Sequence, residues 1–332
     1  MTAFIVTAEQ RELVESILSP LDDMFPVSRL QEGPADDGAQ WAAVSELGWL
    51  GAAVSEDLGG AGLGPVECAL MAERFGRSLV SPSYVATVVA ARLLESASPG
   101  LSAALVSGSA RAAFGFFDEA SRLLIVDGCG AALVLVLGSD TLSIHEIEAG
   151  GAVLEGARTL WSTRLEAAPV GREILVSGDA AVTGFVQLLL AARASGIAAA
   201  TRDASVEYAK LRKQFGQPIG AFQAVKHRCA DMALQALAAT DLVSFASIGL
   251  AAGRNDASLL CATSVSIALQ AALSNCAANI QIHGGMGFSA ECVAHHYLKH
   301  ARVLEAICGL RSAVRGRVLA PQPSLRRVAA PT

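Results

Sequence analysis

The chain contains 332 residues, a length that allows a substantial buried core and roughly two or three domains. Hydrophobic residues make up 52% of the sequence, charged residues 17% and aromatic residues 5%, and the formal net charge is -6. This negative charge, together with the lack of any lysine- and arginine-rich block, argues against a nucleic-acid-binding protein.

Seven cysteines are dispersed along the chain without CxxC spacing. Such an odd, scattered set predicts reduced thiols in a cytoplasmic protein rather than a disulfide framework. The N-terminal residues show no basic run followed by an apolar stretch, so we expect no signal peptide.

Residues 1–109 are predicted to form an N-terminal helical domain. Thr7 is a suitable N-cap for the first helix, in which apolar residues recur at helical spacing. The stretch at 31–38 breaks this pattern with glycine and proline, and the glycine-rich stretch at 55–64 predicts a turn. Pro65 follows the turn and opens another helix, because proline is favoured in the first helical turn. The helices are predicted at about 7–21, 41–47, 65–75 and 84–96.

Residues 110–178 are predicted to form a short β domain. Short apolar runs are separated here by glycine, aspartate and serine, a pattern typical of strands joined by turns. The strands are predicted at 112–117, 123–126, 133–137 and 174–176.

Residues 179–320 are predicted to form a C-terminal antiparallel four-helix bundle, because helical periodicity returns in long stretches with short breaks. These stretches are 180–211, 222–253, 256–283 and 291–319, and the proline-rich residues 321–332 are predicted to be a tail. The predicted fold class is therefore mainly α, with a truncated middle β segment between two helical parts.

One bundle helix carries an unusually long uncharged stretch. Between Asp256 and Glu291 the sequence has no aspartate, glutamate, lysine or arginine, yet serine, threonine, asparagine and glutamine occur along it. We therefore predict a helix buried on all sides within the bundle rather than a membrane span.

The break between the first two bundle helices carries residues suited to binding a phosphate and a flat ring. Arg212 offers a guanidinium and Phe215 an aromatic ring, next to a glycine turn and a new helix N-terminus. Gln214 and Gln223 add amide groups. An ordinary helix–helix turn explains the same residues, and physical reasoning alone favours that simpler interpretation.

A second candidate motif closes the third bundle helix, where residues 281–288 read QIHGGMGF. Its glycines allow positive φ angles and a close approach of the backbone to a ligand, and N–H groups in such a turn bind anionic oxygens. A helix C-cap is the alternative, because glycine commonly ends helices.

Together the two motifs resemble the acyl-CoA dehydrogenase family, in which RKxFGxPIGxFQ opens the second bundle helix and QxxGGxG closes the third. The resemblance covers most of 180–310, and the stretch at 56–63 is similar to the family's EExGGxGL turn. It implies an FAD-dependent oxidoreductase that introduces an α,β double bond into an acyl-CoA thioester. It also implies that the bundle of one subunit holds the adenosine and pyrophosphate of an FAD whose flavin ring lies against the other subunit.

The resemblance assigns cofactor-binding residues by position. Those that would contact the adenosine diphosphate part of FAD are Arg212, Gln214, Phe215 and Gln223. Those that would contact its pyrophosphate are Gln281, Gly284 and Gly285.

The catalytic base is the main departure from the family. Removal of an α proton suits a desolvated carboxylate, but the two positions that carry this glutamate in the family align with Cys308 and Gln270. Neither replaces a carboxylate, because glutamine does not titrate and a buried thiol ordinarily stays protonated. Glu305, one turn before Cys308, is a weaker candidate and is interpreted as a charge on the helix surface.

The β segment also departs from the family. Its length of about 70 residues is shorter than the middle domain of full-length members. Residues 117–120 and 161–163 are interpreted as remnants of the family motifs that cover the flavin ring.

These departures predict a short subunit that is active only with a partner, a full-length acyl-CoA dehydrogenase chain in a heterodimer or heterotetramer. A non-catalytic scaffold subunit and a flavin-dependent monooxygenase on the same fold are the alternatives. The expected substrate is an acyl-CoA. No metal is expected, although His296 and His300 lie on one helical face with the spacing that zinc-binding helices use.

Overall fold

The structure contains a group of short helices, then a sheet, then four long helices, in chain order. It is a computed structural model and describes residues 5–32, 38–117, 123–128, 130–138, 141–147, 152–153, 165–167 and 170–309. The predicted fold class, mainly α with a small sheet between two helical parts, is confirmed.

Short helices make up the N-terminal part. They are α1 (Ala8–Ile17), α2 (Leu21–Met24), α3 (Gly38–Glu46), α4 (Pro65–Arg77), α5 (Pro82–Ala97) and α6 (Pro99–Val106). The predicted N-cap of α1 is confirmed, because Thr7 Oγ1 accepts a hydrogen bond from the backbone N of Gln10 at 3.2 Å. Pro65 begins α4 as predicted. The sequence pattern does not predict α6, a short helix that Pro99 begins almost directly after α5 ends.

The middle segment forms one sheet, whose strands lie in the order β5-β6-β2-β1-β3-β4-β7 within the described residues. They are β1 (Ala112–Phe117), β2 (Leu123–Val126), β3 (Leu133–Leu137), β4 (Leu142–Ile147), β5 (Ala152–Val153), β6 (Leu165–Ala167) and β7 (Val170–Ser177). β1 pairs in parallel with β3, and the other neighbours are antiparallel. The four predicted strands are confirmed, whereas β4, β5 and β6 are additional.

The centre of the sheet packs on α5. Thr87 is fully buried in α5, and its Oγ1 accepts a hydrogen bond from the backbone N of Ala112 at 3.0 Å. Phe114 on β1 is 0% exposed and belongs to the same core as the helices. The sheet is therefore an integral part of the main core rather than a separate unit.

Long helices form the C-terminal part. They are α7 (Ala180–Leu211), α8 (Gln223–Ala251), α9 (Ala257–His283) and α10 (Ala294–Ile307). The predicted bounds of α7 are confirmed. The prediction of one helix over 291–319 is wrong at its C-terminal end, because α10 ends at Ile307 and Gly309 takes a positive φ of 80°.

Two glycines allow α4 to cross α7 at close range. A Cβ atom on Gly76 would lie 2.1 Å from the carbonyl oxygen of Arg193, and one on Gly196 would lie 2.0 Å from that of Glu73. Both obstacles are backbone atoms, so a side chain cannot move aside to make room. This crossing joins the N-terminal helices to the bundle.

A buried asparagine connects three bundle helices. Asn275 on α9 is 0% exposed, and its Nδ2 donates to the carbonyl oxygens of Ala198 on α7 and Met232 on α8, both at 3.0 Å. One turn further along α9, Asn279 accepts a hydrogen bond from Ser205 on α7 at 2.8 Å. These hydrogen bonds fix the relative register of the helices in an otherwise apolar interior.

Three helices of the described chain are long and apolar enough, by length and composition alone, to cross a membrane: α7, α8 and α9 extended through its following turn to Phe288. In the most apolar part of α7, 78% of the residues are buried, whereas the share is 50% for α9 and 33% for α8. The prediction that α9 is buried on all sides is therefore wrong. Its outer face is open, and α8 is the bundle helix with the most open face among these three.

Candidate functional site

The two sequence motifs lie at the same end of the bundle. The ring of Tyr208, in the last turn of α7, stacks on the ring of His283 at the end of α9, with centroids 4.1 Å apart and an interplanar angle of 24°. The backbone N of Arg212 donates to the carbonyl oxygen of Tyr208 at 2.9 Å. The stretch that begins at Arg212 and the turn that follows Gln281 are therefore neighbours.

The first motif forms a small hairpin that extends into solvent. Its strands are β8 (Lys213–Gln214) and β9 (Gln217–Pro218), joined through Phe215 and Gly216, which have φ angles of 52° and 79°. Positive φ is uncommon for a bulky residue such as phenylalanine. Phe215 is 92% exposed and contacts Phe222 edge to face at a centroid distance of 6.2 Å. An exposed aromatic ring on a tight turn is available to a ligand or a partner.

The helix that follows this hairpin begins without a side-chain cap. Phe222 is the N-cap residue of α8 and makes no side-chain capping hydrogen bond. The first N–H groups of this 29-residue helix therefore point outward together with the positive end of its dipole. Arg212, Gln214 and Gln223 are exposed around the same point. Such an arrangement favours an anionic ligand.

The second motif forms an open glycine turn. Gly284 has φ 62° and ψ -140°, and a Cβ atom on Gly284 or Gly285 would meet nothing within 4 Å. Gly287, in contrast, packs back on α9, where a Cβ atom would lie 2.5 Å from the carbonyl oxygen of Ile280. Gln281 is exposed at the last turn of α9. The turn thus presents uncovered backbone beside the first motif.

A polar cleft of about 410 Å³ continues from Gln281 along the groove between α8 and α9. Its polar lining includes Arg228, Asp231, Gln235 and Ser274. Sequence reasoning missed the α8 residues, although Arg228, Asp231 and Gln235 recur at the three- and four-residue spacing of one helical face. The sequence cannot show that this face borders α9.

Comparison with known proteins decides the family. The signature of the acyl-CoA dehydrogenase N-terminal domain matches residues 7–111, and that of the acyl-CoA dehydrogenase C-terminal domain matches residues 184–320. Acyl-CoA dehydrogenase IpdE2 of Mycobacterium tuberculosis is 32% identical over 270 residues, which cover 80% of this chain and 80% of IpdE2. The chain belongs to the acyl-CoA dehydrogenase family.

Two further comparisons concern length and fold. Acyl-CoA dehydrogenase FadE34 of Mycobacterium tuberculosis is 35% identical over 300 residues, which cover 84% of this chain but 41% of FadE34. The chain thus spans about two fifths of that relative's length. A chain of the ChsE4-ChsE5 complex from Mycobacterium tuberculosis has the same fold, with a TM-score of 0.78, 24% identity and coverage of 97% of this chain and 100% of that chain.

Acyl-CoA dehydrogenases are FAD-binding flavoproteins. The predicted FAD-contacting residues meet the requirement of accessibility, since Arg212, Gln214, Phe215 and Gln223 are exposed on one motif and Gln281, Gly284 and Gly285 on the other. Their donors are a guanidinium, amides, backbone N–H groups and an uncapped helix N-terminus, which suit a pyrophosphate. The residues present therefore fit the adenosine diphosphate part of this cofactor.

The positions aligned with the family's catalytic base lie in different surroundings. Cys308 is 3% exposed and is the C-cap residue of α10, whereas Gln270 is exposed on α9. Glu305 is partly buried on α10. Its side chain is 12% exposed and accepts a hydrogen bond from Arg302 Nη1 at 2.6 Å, and the interpretation of Glu305 as a charge on the helix surface stays a prediction.

Most of the residues interpreted as remnants of the flavin-covering motifs lie outside the residues that the structure describes. Phe117 is 52% exposed at the end of β1, whereas residues 118–120 and 161–163 lie outside the described residues.

Two histidines of α10 are buried inside the protein. His296 and His300 on α10 are each 1% exposed, and no group of metal-binding side chains occurs in the described part of the chain. Burial, together with the smaller effects of the charges of His295, Lys299 and Arg29, lowers the pKa of His296 to about 4. These histidines are therefore neutral and internal at neutral pH.

Proposed function

We propose that this chain is one subunit of an FAD-dependent acyl-CoA dehydrogenase that introduces an α,β double bond into an acyl-CoA thioester. In this proposal its bundle supplies the adenosine diphosphate half of an FAD site shared between two polypeptides. The observation that carries the proposal is the convergence of two exposed motifs, joined through the stacked rings of Tyr208 and His283, at one end of the bundle.

The proposed contacts divide between the two motifs. The guanidinium of Arg212 and the uncapped N-terminus of α8 supply positive charge and N–H donors to the phosphates. The open backbone at Gly284 and Gly285 lets the cofactor approach closely, because neither position carries a side chain. Phe215, on its exposed turn, offers a flat apolar surface to the adenosine.

A partner chain supplies the rest of the site in this proposal. When bound, FAD supplies the acceptor for the hydride that leaves the β carbon. The α proton needs a base, and a thiol that is 3% exposed at Cys308 or an amide at Gln270 does not serve as one. We therefore assign proton removal to a complete acyl-CoA dehydrogenase subunit. The existence of the ChsE4-ChsE5 complex supports a pairing of two different chains on this fold.

The open face of α8 supports contact with such a partner. Leu234 and Leu237 on α8 are 66% and 55% exposed, and Ile267 on α9 is 40% exposed. Apolar side chains grouped on neighbouring helices favour burial against another protein. The described cysteines are free thiols, which supports a cytoplasmic location for the assembly.

Flavin content and bleaching test the proposal. The chain would be purified alone and together with a candidate full-length acyl-CoA dehydrogenase, and the flavin absorbance per chain would be measured. We expect a colourless chain alone and a yellow complex that an acyl-CoA bleaches. A single-chain preparation with full flavin occupancy and normal turnover contradicts the shared site.

A non-catalytic scaffold is the second candidate, and the residues at the base positions favour it. In that case the complex gains stability from this chain, but Arg212→Gln leaves its flavin content unchanged. Arg254→Gln, at the opposite end of the bundle, is the matched control because Arg254 pairs with Asp256 far from both motifs. Loss of flavin with Arg212→Gln and not with Arg254→Gln supports the shared site over the scaffold.

A further inference from the structure

A buried group of unpartnered nitrogen atoms lies where α7, α10 and the connection between α4 and α5 meet. Arg193 on α7 is 0% exposed, and His296 and His300 on α10 are each 1% exposed. The nitrogen atoms without a hydrogen-bond partner in the described structure are Arg193 Nε and Nη1, His296 Nδ1, and His300 Nδ1 and Nε2. Buried polar groups in native proteins are almost always hydrogen-bonded, so this group calls for a hydrogen-bonding partner beyond the protein atoms around it.

Two arginines hold the connection between α4 and α5. Arg193 Nη2 donates to the carbonyl oxygen of Val80. Arg29 donates to the two preceding carbonyl oxygens, those of Ser78 at 3.0 Å and Leu79 at 2.7 Å. Backbone carbonyl oxygens therefore hold both guanidinium groups, while Arg193 Nε and Nη1 make no hydrogen bond in the described structure.

The buried guanidinium of Arg193 carries a positive charge. Burial lowers the pKa of Arg193 to about 10, so the guanidinium stays protonated at neutral pH. Asp127 is the carboxylate whose charge acts on it, but Arg193 Nε and Nη1 make no hydrogen bond to a carboxylate in the described structure. The charged groups that act on His300 are Arg193, Arg29 and His296, and none of them is acidic.

We propose that this group binds one compact, singly charged anion, a halide or a carboxylate, through the N–H groups of Arg193 and His300. One anion offers acceptors to both side chains and a negative charge to the buried guanidinium of Arg193. A water molecule would offer hydrogen bonds but would leave the guanidinium charge uncompensated in a low-dielectric interior, which is unfavourable. The bound anion would join α7 to α10 and, through Arg193, to the α4–α5 connection.

Bromide is the probe for this site. Crystals of the full chain grown in bromide are expected to show an anomalous scattering peak between Arg193 and His300. In solution, the thermal midpoint is measured at constant ionic strength while gluconate, which is too large to enter, is replaced by bromide. We expect the midpoint to rise by roughly 2–4 °C when bromide exceeds its dissociation constant tenfold. Acetate in place of bromide shows by the same rise whether the site also accepts a carboxylate.

Variants separate this site from general salt effects. Arg193→Met is expected to abolish both the bromide peak and the anion dependence of the midpoint. Arg92→Met removes an arginine whose side chain is 52% exposed, and it is expected to keep both. If Arg193→Met does not fold, His300→Leu provides the same comparison. Water alone beside Arg193 in the bromide crystals, with a midpoint that does not depend on the anion, overturns the proposal.

Discussion

The crossing of α4 and α7 gives the sharpest stability prediction. Gly196→Ala would place a Cβ atom 2.0 Å from the carbonyl oxygen and 2.9 Å from the carbonyl carbon of Glu73, and 3.1 Å from the backbone N of Arg77. Ordinary contact needs about 3.4 Å between such atoms, so the helices would have to separate by more than about 1 Å. Overpacking of this kind costs about 1–3 kcal/mol and more when only backbone can move, while alanine regains about 1 kcal/mol of helix propensity. We expect a net loss of about 2 kcal/mol or more.

The same helix offers a matched control. At Gly184, also on α7, an added Cβ atom would lie 3.7 Å from Cys261 Sγ, which is ordinary van der Waals contact. Gly184→Ala is therefore expected to keep or raise the free energy of unfolding by up to about 1 kcal/mol. Thermal unfolding is the assay, and for a chain of 332 residues a loss of 2 kcal/mol corresponds to a midpoint lowered by about 3 °C. Equal midpoints for Gly196→Ala and Gly184→Ala would refute the inferred helix crossing.

Three further predictions concern the cofactor, the pH dependence and the bundle interior. Arg212→Gln removes one charged donor from the proposed pyrophosphate contact, so we expect about tenfold weaker flavin retention in the complex, measured by absorbance after gel filtration; unchanged retention contradicts this role. Because the folded-state pKa of His296 is about 4 and its ordinary value is 6.5, the unfolded chain binds the proton first. The free energy of unfolding is therefore unaffected by His296 above about pH 6.5, and it falls by roughly 3 kcal/mol as the pH drops to about 4. Burial of His300 acts in the same direction. Denaturant unfolding at several pH values should show this loss, and His296→Gln should reduce it; a parallel slope in both proteins contradicts it. Asn275→Leu removes two interhelical hydrogen bonds and is expected to lower the free energy of unfolding by about 1–3 kcal/mol in denaturant unfolding, whereas no loss would show that packing alone sets the helix register.

The helical bundle could be predicted from the sequence because its signals are local. Helical periodicity between two short breaks placed α7 at its observed bounds. The end of α10 was misjudged because Ile307 and the residues beyond it continue the apolar pattern, and a glycine alone does not reveal that it adopts a positive φ. Local patterns thus located the helices better than their ends.

The sheet was only partly predictable. β4 alternates in burial, with Leu142 and Ile144 buried and Ser143 and His145 partly exposed, which is the pattern of a half-buried strand. The polar residues of β4 made this strand look like part of the neighbouring turns. β5 and β6 are too short to carry a periodic signal, and they depend on pairing, β6 with β2 and β5 with β6.

The candidate site, too, was only partly predictable from the sequence. Both motifs could be found because glycine and arginine occur there in a specific spacing. The cleft beside Arg228 could not be found, since it depends on which helix lies opposite. The burial of Arg193 is the hardest feature to predict. The sequence of an apolar helix with one arginine does not show whether the guanidinium reaches solvent or stays inside.

The hydrogen bond between Arg193 and Val80 has a consequence for how the chain can be divided. The guanidinium belongs to the C-terminal bundle, but the acceptor that it uses among the described residues belongs to the N-terminal helices. A fragment that starts after β7 would expose the long apolar helix α7. It would also leave the guanidinium of Arg193, in the middle of that helix, without its acceptor. Chimaeras that exchange the bundle between relatives should therefore carry over the α4–α5 connection as well, so that Arg193 keeps the carbonyl oxygen to which it donates.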